Sequence, residues 1–449
     1  MRNKPFIIAF LLFIHVAFWF ILKPAPPFSD DKVYALTAET MVEGHYRLSE
    51  SPKNHRLTVI APTALFIKLF GENSFTVSLW TLLCSLATIV FLFLFLSKYS
   101  SIEIAFTASF LIACNNLQII YSAALFPDVI VALFAFLVIE RIYTSRITNT
   151  AKLRTIIETT VFFYIGFLAK EIILILLPFI LFLFVSDWIK KINKTFWVKF
   201  FISLISGGVI LNAIYYFSTD DVNFIYHCIN KNHNEVFALF SNDELIRRFT
   251  YQPLIFLFQG VGYSILLFFF ISYFISKVGH TNPDQHAFDH QSSNQQFLTP
   301  DRKSKPLINP LIKFFSIYFF ILLATYWWMP TSFNHLSPIL LFGFERMWMM
   351  LLIPLAIVSA FAIIKALEEE NSRKGLLIIS TIFALAANAC VTLHSYNRAM
   401  MFLLFTFSSI TAIILKEKTN LSKQIILAIL LLPVFLIALY FTLQNSNWR

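Results

Sequence analysis

Residues 75–96 read FTVSLWTLLCSLATIVFLFLFL, 22 consecutive positions without a charged side chain. At about 1.5 Å of rise per residue, such a helix reaches about 33 Å and crosses the ~30 Å hydrocarbon core of a bilayer. Further apolar runs lie near 6–22, 102–120, 127–140, 156–169, 171–186, 200–217, 253–276, 311–328, 347–364, 376–393, 399–415 and 425–443. The expected number of crossings is therefore about thirteen, with short runs and loose boundaries between 127 and 186 and some spans broken or partly inserted. Composition agrees. The 449 residues are 58% hydrophobic and 13% charged, against roughly 45–50% and about 25% in soluble domains. A single soluble core stops growing near ~250–300 residues, so this apolar excess excludes a soluble enzyme. Disorder needs the opposite balance. In lipid only helices and closed barrels satisfy the backbone, and long apolar runs rather than ten-residue alternation select helices. The expected fold class is an all-α polytopic membrane protein.

The formal net charge of +10 is a topology signal rather than a nucleic-acid footprint. With the N-terminus in the cytoplasm, about 22 of the 35 basic residues fall inside, in clusters such as Lys190-Lys191, Arg302-Lys303 and Arg373-Lys374. Trp19, Trp327, Trp328 and Trp348 fall near span ends, as an aromatic belt requires. The first run lacks a small-x-small cleavage site in Lys23-Pro24-Ala25-Pro26-Pro27, so an uncleaved anchor is expected. Cys84, Cys114 and Cys390 sit in apolar runs and Cys228 in a polar loop, with no disulfide or metal spacing.

Three polar stretches interrupt the spans: a first outer loop at 23–74, a second at 218–252, and a cytoplasmic linker at 277–310. His280, His286 and His290 of the linker suggest a metal site, but in a polar linker solvated loop residues are the simpler reading. His227, His233 and Asn234 of the second outer loop are candidates to cover an acceptor.

The first loop opens with Pro26-Pro27-Phe28-Ser29-Asp30-Asp31 and a helix-like stretch through Gly44, with Val33, Tyr34, Met41 and Val42 available for an apolar face. One reading is capping alone, since Ser29 or Asp30 suits an N-cap and carboxylates suit the positive end of a helix dipole. The other is chemical. A carboxylate at the outer interface faces both lipid headgroups and external substrates. Glycosyl transfer from a lipid phosphate needs a base for the incoming hydroxyl and cations for the departing phosphate. Arg47, Lys53, His55 and Arg56 follow in the same loop, where headgroup contact or solvation is the plainer role for each.

Phe28-Ser29-Asp30-Asp31-x-x-Tyr34, followed by Ala38 and Gly44, resembles the first-loop signature of GT-C membrane glycosyltransferases. The nearest branch contains protein O-mannosyltransferases and the lipid A aminoarabinose transferase. Phe70-Gly71, Tyr121-Ser122 with Phe126-Pro127-Asp128, Gly166-Phe167-Leu168-Ala169-Lys170-Glu171, and Glu345-Arg346-Met347-Trp348 with Pro354 resemble later family elements in the same order. The similarity spans about residues 5–365, leaving 366–449 as additional C-terminal helices.

The resemblance implies a polyprenyl-phosphate-sugar donor, inverting transfer, and a catalytic aspartate that falls on Asp30. Asp31 stands where the family usually has Glu, and Val33 replaces the Arg that the aminoarabinose transferases carry before the Tyr. Their later Lys-Pro corresponds roughly to His55-Arg56, so the sugar is not inherited from that enzyme. Asp30 is the expected base, with Asp31 and Tyr34 orienting it. His55, Arg56, Lys170 and Arg346 are candidate phosphate partners, and Asp128, Glu171 and Glu345 are carboxylates that hold them. A structural network of Lys170 and Glu171 with each other or with Asp128 is the competing reading. No cofactor is required, although Asp30-Asp31 could hold a divalent metal weakly. The expected acceptor is an envelope glycan, glycolipid or protein outside the cytoplasmic (inner) membrane. The rivals are an envelope polysaccharide polymerase or ligase, and a lipid or solute transporter; short late loops argue against the first, and charges at the boundary without a repeat against the second.

Overall fold

The computed structural model describes residues 4–24, 26–27, 29–49, 53–237, 261–278, 309–328, 349–368, 372–392, 395–418 and 421–446. In that region the chain is helical throughout. The order is α1 (Lys4–Leu22), α2 (Asp30–Val42), α3 (Leu57–Phe70), α4 (Ser74–Tyr99), α5 (Ile102–Ala113), α6 (Asn116–Ser122), α7 (Pro127–Thr148) and α8 (Leu153–Ala169). A 3-10 turn (Glu171–Ile175) leads into α9 (Leu176–Ile189), α10 (Lys194–Thr219) and α11 (Phe224–Phe237). Then follow α12 (Val261–Val278), α13 (Pro310–Trp328), α14 (Met349–Glu368), α15 (Ser372–Thr392), α16 (Tyr396–Lys418) and α17 (Lys423–Ser446).

Among the described residues, eight helices are long and apolar enough to cross a membrane, or nine if the bent pair α5–α6 is one span. Helix stands at each of the thirteen stretches read from sequence, but the count of thirteen crossings rests on the sequence alone. The run 102–120 is not one straight span: α5 and α6 meet at 56°. Asn115 makes the break tolerable, because its side-chain oxygen accepts from Leu117 N and Gln118 N while its amide donates to Gly262 O at 3.1 Å. At the same level His15 Nδ1 bonds Ala113 O at 2.9 Å, and its Nε2 meets Ser85 Oγ at 2.8 Å. Backbone groups released at a bend in lipid require such internal partners.

The bundle is built around α14, which is buried along nearly its whole length and packs against α5, α7, α12, α13 and α15. By contrast α10 presents Ile202, Ile205, Val209, Ile210 and Phe217 outward. A continuous apolar face of this kind suits lipid contact.

Cross-links define two ends. At one end Lys4 Nζ donates to Ser97 Oγ (3.2 Å), Arg146 pairs with Asp187 (2.7 Å), and Lys423 pairs with Glu368 (2.7 Å). At the other, Trp19 Nε1 and Thr81 Oγ1 both donate to Ser122 O (3.2 and 3.0 Å), and α2 packs on α3. The charges of the first loop gather at this second end.

The buried face of α2 is not the one read from sequence. It carries Asp31, Tyr34, Ala35 and Ala38, while Val42 is exposed and Val33 only partly covered. Ala35 and Ala38 are buried in this face, and α2 packs on α3. Glu345, Arg346, Trp348 and Phe28, with most of the 277–310 linker and residues 238–252, lie outside the described residues, as do the side chains of His233, Asn234, Trp327 and Trp328.

Candidate active site

The acidic pair divides at the start of α2. Asp31 turns inward and is buried, and its Oδ1 accepts from Ser29 N (2.8 Å) and Lys32 N (3.1 Å). Ser29 holds the N-cap position without a side-chain cap bond, so this carboxylate, two residues on, anchors the first turn instead. Asp30 turns the other way. Its Oδ1 lies 2.7 Å from Lys53 Nζ, and about a third of its side chain is exposed.

The end of the loop supplies the next layer. Arg56, buried just before α3, donates from one terminal nitrogen to Tyr34 Oη and from the other to both Glu171 oxygens, each at 3.1 Å. Burial pushes the Tyr34 phenol up to about 12 despite the guanidinium beside it, so it stays a neutral phenol at any working pH. Burial opposes the Arg56 charge, but Glu171 and Tyr34 together hold its pKa above its usual value.

A second buried pair backs the first: Lys170 Nζ lies 2.7 Å from Asp128 Oδ1, with both side chains almost wholly covered. Pro127 at the start of α7 leaves Asp128 in the first turn, where a carboxylate is favoured. Lys170 and Glu171 occupy the break between α8 and the 3-10 turn. Asp128 Oδ2 and Arg56 Nε, both buried, have no hydrogen-bond partner among the described residues. Tyr326 of α13 is buried close enough to Asp128 for their charges to interact.

Hydrogen bonds fix this layer to the bundle. Thr58 Oγ1 donates to Ile165 O (2.8 Å), Trp80 Nε1 to Thr58 O (2.8 Å), and Tyr215 Oη to His55 O (3.0 Å). The second loop closes over the first, with buried Cys228 of α11 packed beside Tyr215 and Phe224 and touching Ser49 O at 3.9 Å. His227, a candidate for covering the acceptor, is exposed in part and bonds Asp221 at 2.8 Å in the same loop.

Asp30, Asp31, Tyr34, His55, Arg56, Asp128, Lys170 and Glu171, separated by up to 141 positions, thus come to one end of the bundle. Glu345 and Arg346 lie outside the described residues. Lys53 was legible only as one more loop cation, since nothing local pairs it with a residue 23 positions earlier. Tyr215 and Tyr326 carried no signal above the general abundance of aromatics. Among the described residues, no group of three His, Cys, Asp or Glu side chains is placed to hold a metal ion.

The class so defined is an all-helical polytopic membrane protein with a charged site at one end, where α2 packs on α3. Residues 57–216 match the sequence profile of the dolichyl-phosphate-mannose-protein mannosyltransferase family. That stretch holds Asp128, Lys170 and Glu171 and begins one residue after Arg56, so it does not reach Asp30. No curated protein matches the chain in sequence. In structure it is similar to apo ArnT from Cupriavidus metallidurans, with a TM-score of 0.59 and 13% identity over 99% of this chain and 78% of that one. The same protein bound to undecaprenyl phosphate gives a TM-score of 0.58 and 12% identity, over 98% and 77% of the two chains. Sequence resemblance and three-dimensional likeness therefore point to the same fold.

Proposed function

We propose that this protein is a membrane glycosyltransferase that moves a monosaccharide from a polyprenyl-phosphate donor to a hydroxyl of an envelope glycan, glycolipid or protein. The observation that carries the reading is the partly exposed Asp30–Lys53 pair, set over a buried layer of Tyr34, Arg56, Glu171, Lys170 and Asp128. The family match over 57–216 and the fold shared with a protein crystallised with undecaprenyl phosphate support the donor class.

Asp30 accepts the proton of the acceptor hydroxyl as its oxygen attacks the anomeric carbon. The bond from that carbon to the phosphate breaks on the opposite face, and configuration inverts. Polyprenyl phosphate leaves carrying the bonding electron pair. Lys53 neutralises Asp30 when no donor is present, and an arriving phosphate competes for its ammonium. Transfer of Lys53 to the phosphate uncovers the base as the donor docks. Arg56 and Lys170 already hold carboxylates, so their charge reaches the phosphate as a fixed field rather than through a mobile contact. The positive-inside bias supports an orientation with this end outside the inner membrane.

The test uses membranes containing the full chain and a radiolabelled polyprenyl-phosphate sugar. Label should appear in an acceptor, and Asp30→Asn should lower transfer by about 10²–10⁴-fold, the usual contribution of a positioned base, with unchanged expression. Full activity in Asp30→Asn removes the mechanism. Movement of label across the membrane without transfer makes the protein a carrier.

A further inference from the structure

A groove of about 770 Å³ runs along the outside of the bundle between α1, α5 and α17. Its wall is carbon almost throughout, and its two hydrophilic side chains, Glu103 and Gln424, both stand at one end. From Ile7 to Ile21 along α1, at about 1.5 Å per residue, the groove is about 21 Å long. That exceeds the ~15 Å depth of one leaflet of a ~30 Å core. Phe18 and Phe435 pinch it near the end closest to the first loop, with ring centroids 5.3 Å apart. The shape is that of a slot for a hydrocarbon tail entered from the Glu103 end.

We propose that this groove is a lipid-binding site, separate from the donor site, that takes a phospholipid with a primary ammonium headgroup. Two features select that occupant. The polar end lies opposite Asp30, because Glu103 stands in the first turn of α5 and the continuation of that helix through α6 leads to Asp128. A lipid with its headgroup here cannot present a phosphate to the first loop. The charged side chain lining the slot is the Glu103 carboxylate. Its partner Lys423 is shared with Glu368, 2.7 Å away on α14, and Lys416, which does not line the slot, donates to Leu367 O at 2.8 Å. An ammonium therefore meets Glu103, and the adjoining phosphate falls within reach of Lys423. This inference does not rest on the proposed glycosyl transfer.

Native mass spectrometry of the purified full chain tests it. The protein is exchanged into micelles holding equal amounts of phosphatidylethanolamine and phosphatidylglycerol with the same acyl chains. We expect one phosphatidylethanolamine to be retained several-fold over the competitor. Glu103→Gln should erase the preference while a lipid is still retained, since Lys423 keeps Glu368. Ala428→Trp, at an exposed position inside the slot, should remove one bound lipid, and Ala17→Trp provides the same block from α1. Equal retention of the two lipids, preference for phosphatidylglycerol, or an unchanged lipid count in both tryptophan variants overturns the assignment. Displacement of the bound lipid by added polyprenyl phosphate overturns it as well and returns the groove to the donor. Transfer activity is a separate readout, so its loss leaves this result intact.

Discussion

At Asp30 and Asp31 two identical side chains, one position apart, do different work because a helix turns them to opposite sides. Asp31 faces the bundle and holds backbone amides; Asp30 faces outward against Lys53. Asp31→Asn should therefore retain much of its anchoring, because the remaining amide oxygen still accepts. Asp31→Ala should cost about 0.5–2 kcal/mol, the range of a lost helix cap. Thermal unfolding in detergent orders the two variants, and equal melting temperatures contradict the anchoring role. Tyr34→Phe leaves one Arg56 nitrogen without its acceptor in a buried setting, with an expected loss of about 1–3 kcal/mol. That an acidic pair follows the first span and opens a helix was legible from Ser29-Asp30-Asp31. Which carboxylate points where was not, because that depends on the rotation of α2, which its packing in the bundle decides.

The α2–α3 unit is an element with its own pH response. Glu39 of α2 has its pKa raised by burial, by a hydrogen bond shared with Glu72 at the turn after α3, and by the charges of Glu72 and Glu43. A raised carboxyl pKa means the folded unit binds a proton more tightly than the unfolded chain. Its stabilising contribution is thus present below the ordinary glutamate range and is lost as pH rises through the folded value. Hydrogen exchange along α2 should quicken relative to α4 as pH rises through that window, once corrected for the intrinsic rate. Glu39→Gln should flatten the difference, and an unaltered pH profile in that variant excludes the Glu39–Glu72 contact. Other elements were readable to different degrees. Apolar runs located the helices, because lipid demands long uncharged stretches. The bend between α5 and α6 was hidden, since Asn115, His15 and Ser85 make it tolerable through contacts spread over 100 positions. Lys170 and Glu171 were legible as charges at a span end. Their separate partners, Asp128 and Arg56, follow from how α7 and the first loop pack, which no local pattern records.

Across the whole molecule, charge is sorted to two ends, and every functional argument depends on which end faces out. The Arg146–Asp187 and Lys423–Glu368 pairs mark one end, and the Asp30–Lys53, Arg56–Glu171 and Lys170–Asp128 pairs mark the other. The two deeper pairs at the site end are so well covered that removing one partner leaves a buried charge. Asp128→Ala alone should cost about 3–5 kcal/mol, and Asp128→Leu with Lys170→Met much less, which a double-mutant cycle on unfolding resolves. Orientation is decided separately. Ser29 and Ser422 are exposed and lie at opposite ends, beside Asp30 and Lys423. Cys84, Cys114 and Cys228 are buried, so a Cys390→Ser background removes the one partly exposed native thiol. In that background an impermeant maleimide applied to intact cells should label Ser29→Cys at once and Ser422→Cys only after permeabilisation. The excess of basic residues in the loops on the Ser422 side requires this result. The reverse pattern would put Asp30 in the cytoplasm, where a carboxylate cannot deprotonate an acceptor held outside, and the proposed reaction would have to be abandoned even though every ion pair remained in place.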